Sequence, residues 1–140
     1  MNLAHILLTA LAAFVAYFIF GGVVFMGVPA LKREFEKHSA LYRPHDDLMK
    51  VMPLGMAATF VAILVLVHIY VMIQGHGSVL QRGLIFGGMI GVFFDCVFVV
   101  HNYVNLKVSA KLSIQQGVAY FFEWLVVGIV IALVYGNQGT

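Results

Sequence analysis

Four stretches of this chain, Leu3–Leu31, Val51–Ile73, Gly83–Val104 and Ile114–Tyr135, run without a single lysine or arginine. Each is at least as long as the roughly 20 helical residues needed to cross about 30 Å of hydrocarbon. In lipid every backbone N–H and C=O must be paired within its own segment, and none of the four alternates as a barrel strand does, so all four are expected to be α-helices. The expected fold class is all-α: a polytopic membrane protein, a four-helix bundle filling residues 1–140 as one domain. Composition argues against a water-soluble alternative. Of the 140 residues 62% are hydrophobic and 10% charged, the mean hydropathy is +0.98, and so few charges cannot supply a polar shell. The first stretch has no basic leader and outruns the apolar core of a secretory signal, so it is expected to stay as the first span.

The loops set an orientation. Lys32, Arg33, Lys37, Arg43 and Lys50 lie between spans one and two, Lys107 and Lys111 between three and four, and only Arg82 on the other side. That bias predicts both termini outside and the charged loops in the cytoplasm, with Tyr70 and Tyr135 at the outer interface and Tyr103 at the inner one. The 32–50 loop holds nine of the charged residues. Leu31, Phe35 and His38 fall at helical spacing, which extends helix one until Pro44 stops it; Asp46 or Asp47 then caps helix two, with Pro53 in its first two turns. Gln74-Gly75-His76-Gly77-Ser78 reads as a short outer turn.

Gly83, Gly87 and Gly91 repeat every four residues, the small-residue rhythm that lets another helix backbone approach closely in lipid. Gly55, Ala58, Thr59 and Ala62 of helix two, or Gly128 and Ala132 of helix four, offer complementary surfaces within the chain, and a homodimer or a partner helix could use the same face. Ile19-Phe20-Gly21-Gly22 recurs as Ile85-Phe86-Gly87-Gly88, but at a different depth, and reads as small-residue packing rather than a duplicated half. Asp95 and Glu123 are the only acids inside spans. Twelve residues separate Asp95 from Lys107 and Lys111 from Glu123, so counting along the helices puts both about 18 Å above the inner loop. Asn102 is seven residues from Asp95, and Gln116 seven from Glu123; Tyr120 joins the second stripe. With His101 on the flank, and Tyr17 and Thr59 approaching from spans one and two, these residues predict a polar funnel open to the cytoplasm. Two carboxyls side by side in low dielectric would hold a proton between them. The competing reading makes both acids structural, satisfied by Asn102, Gln116 or Tyr120.

Other chemistry is thinly represented. Cys96 is alone, so it forms no disulfide within the chain and reads as an inert buried thiol. His5, His68 and His76 share the outer side without metal-ligand spacing, and no metal site is expected. A haem held by His68 and His101 fails because the two lie at opposite depths. No cofactor is expected, although haem or chlorophyll on a single histidine stays open. His38 and His45 read as part of a solvated charged face. No basic tract for nucleic acid and no recognisable catalytic motif is present.

The run Glu123-Trp124-Leu125-Val126-Val127-Gly128 ending in Val134-Tyr135-Gly136, with His101-Asn102-Tyr103 before a short loop, resembles small four-span bacterial membrane proteins of a domain-of-unknown-function class. The resemblance implies a protein of the bacterial inner membrane and carries no activity. Small multidrug-resistance exporters fit less well, having their carboxylate in the first span, and membrane glutathione transferases would bring more basic residues to the membrane edge. Two functions remain in view: proton-linked binding or translocation at the Asp95/Glu123 site, and an accessory or assembly subunit of a larger membrane complex, docked by its glycine face.

Overall fold

The computed structural model describes residues 2–73 and 75–136. Among them there is no strand. Helix α1 (Leu3–Gly27) is followed by a short α2 (Pro29–Lys37), a 3-10 turn (Ser39–Leu41) and α3 (His45–Met72); α4 (Val79–Phe94) continues through a π-helical segment (Asp95–Val100) into α5 (His101–Asn105), and α6 (Ala110–Gly136) closes the chain. Four helical units are long and apolar enough to cross a membrane: α1, α3, the 27 residues of α4 through α5, and α6. The loops that link α1 to α3 and α5 to α6 share one end, here called the charged end.

Three local features depart from the expectations drawn from sequence. The first span stops at Gly27 because Val28 precedes Pro29, which forces it into extended backbone (φ −91°, ψ 106°), and Pro29 then opens α2. Helix α3 begins at His45 behind Pro44, so Asp46 and Asp47 occupy its first turn, where they favour the helix dipole, rather than its cap. The third departure is the π segment from Asp95, for which the sequence carries no signal. At the far end Gln74 lies outside the described residues. Gly77 takes a left-handed φ of 115°, open to glycine, and the Ser78 hydroxyl caps α4 by accepting from the Gln81 N–H at 3.2 Å.

Helix α6 is the centre of the molecule. It packs most extensively on α4 and next on α1, while α3 lies mainly against α1. The α4–α6 contact is set by glycine. A Cβ on Gly87 would fall 2.7 Å from the Trp124 carbonyl oxygen and 2.9 Å from Leu125 Cα, and one on Gly83 would fall 2.8 Å from Ile129 Cα. One on Gly128 would overlap the Gly87 backbone. The Gly83/Gly87/Gly91 row is therefore filled by α6 of the same chain, and it is not a face left over for a second copy or a partner helix.

The main core joins Ile6, Ala10 and Ala13 of α1, Ile63, Val67 and Tyr70 of α3, Phe86 of α4 and Trp124, Val127, Ile131 and Ala132 of α6. It lies towards the end away from the charged loops. Tyr70, 3% exposed and 5.3 Å ring to ring from Phe86, packs into this core from the last turn of α3. Towards the charged end the bundle loosens. Residues 45–58 of α3 are exposed all round, whereas α2 tucks against α1 and α6 through Leu31, Leu112 and Phe35. Cys96 is exposed, contrary to the buried thiol expected.

Candidate functional site

The α4–α6 packing fixes the depth of each carboxyl. Gly87 faces Trp124 and Leu125, Gly91 faces Phe121, and Asp95 faces Gly117, a regular antiparallel register. Opposite Asp95 therefore stands a residue six positions before Glu123, about 9 Å along the helix. The equal-depth expectation treated Lys107 and Lys111 as level, but α6 starts at Ala110 while Lys107 lies in the linker after α5. The two acids consequently have different neighbours and form no proton-sharing pair.

Glu123 is 2% exposed and points at α1. Its Oε1 occupies the place a Cβ on Gly21 would need, so the glycine is what lets the carboxyl lie against the α1 backbone. Its Oε2 has no hydrogen-bond partner among the described residues. Tyr17 of α1 and Tyr120 of α6 are its polar neighbours, each within electrostatic reach. Aromatic rings wall this region: Tyr17 against Trp124 at 5.3 Å, and Tyr120 against both Phe25 and Phe94 at 5.0 Å. From there Tyr120 leads to a cavity of about 120 Å³ near the charged end, lined also by Asn102, Gln116, Tyr42 and Phe98. The Gln116 amide donates to the Tyr42 hydroxyl at 3.3 Å.

Of the expected constellation, the structure thus assembles Glu123, Tyr120, Gln116, Asn102 and Tyr17, and adds Tyr42 and Gly21. It separates Asp95 from them. The seven-residue spacing of Asp95 and Asn102 would put both on one face of an α-helix, but the π segment between them inserts an extra residue into the turn and rotates the rest of the span by about 100°. Asn102 therefore faces the Tyr120 cavity while Asp95 faces Gly117. His101 is exposed, its carbonyl accepting from Asn105 Nδ2 at 2.8 Å, and Thr59 donates to the Gly55 carbonyl at 2.9 Å within α3; neither joins the site. Gly21 and Tyr42 were not expected there, since nothing in their own neighbourhoods of sequence marks them. Only a knowledge of the helix crossings would.

Three of the histidine rings lie against backbone carbonyls. His68 Nδ1 pairs with the Leu64 carbonyl at 2.8 Å, and His5 Nε2 lies 3.4 Å from the Tyr135 carbonyl. His38, expected in a solvated face, instead clamps two elements: Nδ1 donates to the Glu34 carbonyl at 2.9 Å and Nε2 accepts from the Ser109 N–H at 3.2 Å. Among the described residues no three His, Cys, Asp or Glu side chains gather as metal ligands would.

Fold and site together define an all-helical chain with four helices fit to span a membrane and a carboxyl sealed inside the bundle. No family model, no curated protein and no solved structure matches it.

Proposed function

We propose that this chain is an integral protein of a bacterial inner membrane that binds or translocates a small solute or ion in exchange for a proton at Glu123. Its charged end lies in the cytoplasm and both termini outside, following the basic residues of its loops. The observation that carries the reading is the Glu123 carboxyl, buried in the bundle with one oxygen unpartnered among the described residues. Ionisable groups within spans are costly and mark ion and proton pathways. Tyr120 connects Glu123 to a cavity whose amide and hydroxyl groups suit it to hold water, giving the proton a route to the cytoplasmic side. Tyr17, on the far side of the carboxyl, offers the next hydroxyl.

Infrared difference spectroscopy of the protein in lipid, titrated across pH, tests this reading. A carboxyl C=O band that titrates in the wild type and is absent in Glu123→Gln is expected, with proton uptake by proteoliposomes lost in the same variant. A Glu123 band that does not respond to pH in any accessible range would overturn it.

The accessory-subunit reading keeps one supporting observation, the exposed half of α3 at residues 45–58, because the glycine row is filled internally. Purification in mild detergent with mass spectrometry separates the two: stoichiometric recovery of a second, different membrane chain favours the accessory role.

A further inference from the structure

On the other side of α6 from Glu123, Asp95 stands in a groove of about 470 Å³ between the inner parts of the third and fourth spans. Val99 and Val100 form one wall, Ile114 and Val118 the other, and Gly117 leaves the floor low under the carboxyl. Tyr103, half exposed at the rim, and two buried polar groups without partners among the described residues interrupt this apolar lining. Asp95 Oδ1 is buried and makes no hydrogen bond there, and neither does the hydroxyl of Ser113, a residue only 8% exposed. Helical serines commonly donate back to the carbonyl four residues earlier; the Ser113 hydroxyl does not, and a rotation about its χ1 brings this buried oxygen toward the groove that the residue lines. Among the described residues no lysine, arginine or histidine lines the groove, so a carboxylate there has no counter-charge from them.

We propose that this groove binds a lipophilic amine, a protonated nitrogen carried on a compact apolar body. The ammonium N–H groups donate to the Asp95 carboxylate and the Ser113 hydroxyl, and the apolar body packs on Val99, Ile114 and Val118. Each feature answers one requirement. The carboxylate supplies the missing ion pair, which in a low-dielectric groove is strong only when both charges are hydrogen-bonded. The hydroxyl offers a second acceptor for an ammonium that would otherwise be partly unsatisfied. The walls receive apolar surface without a desolvation cost, and the groove opens sideways, so the ligand enters from the lipid in which it is already dissolved. Asp95 and Glu123 do not share this site, and the proposal stands independently of the proton-linked reading.

The test uses the full chain in nanodiscs of zwitterionic phosphatidylcholine, which gives the amine no anionic lipid to follow, and tritiated 1-adamantylamine as probe. Saturable binding of one equivalent is expected, with 1-adamantanol, the neutral isostere, failing to compete. Asp95→Asn should weaken binding by about tenfold or more and Ser113→Ala by about two- to tenfold, the ratios for losing a charged and a neutral hydrogen bond. Val118→Trp, a lipid-facing change that fills the groove and keeps the carboxyl, should abolish binding even if Asp95→Asn disturbs the fold. Gly88→Ala, away from the groove, should leave it unchanged. Non-saturable uptake only, equal competition by the alcohol, or unaltered affinity in Val118→Trp would each overturn the proposal.

Discussion

Glu34 shows how one residue ties the charged end together. Its side chain is buried at the base of α6, where it accepts from Lys37 Nζ at 2.7 Å and from Lys111 Nζ at 3.0 Å. The Lys37 bond, then the Lys111 bond, hold its carboxyl below its ordinary value of 4.5. A carboxyl that is harder to protonate in the folded than in the unfolded chain stabilises the fold fully above its unfolded pKa, and that contribution is lost as pH falls through the folded one. Docking of α2 should therefore hold at neutral pH and weaken only in acid below 4.5. Hydrogen exchange of the 29–37 amides in detergent, compared between wild type and Glu34→Gln, measures this: the wild type should lose protection on acidification, and the variant should show lower protection at neutral pH with little further change. Both lysines are well exposed, so salt should diminish the difference.

At the scale of elements, the glycines make neighbouring positions behave oppositely. A Cβ at Gly87 meets α6 backbone at under 3 Å, whereas one at Gly88 meets only Leu125 Cδ1 at 3.9 Å. Gly87→Ala should lower stability in mixed micelles by about 1–3 kcal/mol, the usual cost of overpacking, and Gly88→Ala should be neutral or stabilising. Unfolding midpoints in a denaturing-detergent titration decide it. The glycine rhythm and the four spans were legible in sequence because lipid imposes them: the backbone must pair within each helix, and helices approach closely only over small residues. The break before Pro29 was legible too, in the restriction proline places on Val28, although helical spacing alone carried the helix through it. The crossing register and the π turn could not be read. Counting residues from Lys107 and Lys111 placed Asp95 and Glu123 level, but the register is set by which glycine meets which backbone, a property of two helices at once. The π turn then changed the face of Asn102 relative to Asp95, while Gln116, Tyr120 and Glu123, on an unbroken helix, kept the relation their spacing implied.

The whole molecule is tight at one end and open at the other. Spans converge where Ile63, Val67 and Tyr70 of α3 meet the main core, and α3 leaves its neighbours as it runs back toward the charged end. This asymmetry arises from where the small residues and the connections lie. The α4–α6 contact is drawn together by glycine along much of its length, and α2 is pinned beneath α6 by Glu34 and His38, but α3 has neither device over residues 45–58. Nitroxide labels placed singly along α3 in nanodiscs, in a Cys96→Ser background, report this directly through their accessibility to dissolved oxygen. Accessibility should vary with helical period beyond residue 59, with minima at 63, 67 and 70, and should lose that period through the lipid-embedded part of 51–58. A persistent helical period there, with minima on one face, would mean that another chain covers the half-helix in the membrane. In that case the functional unit would be an assembly, and the open end of the bundle would be its interface.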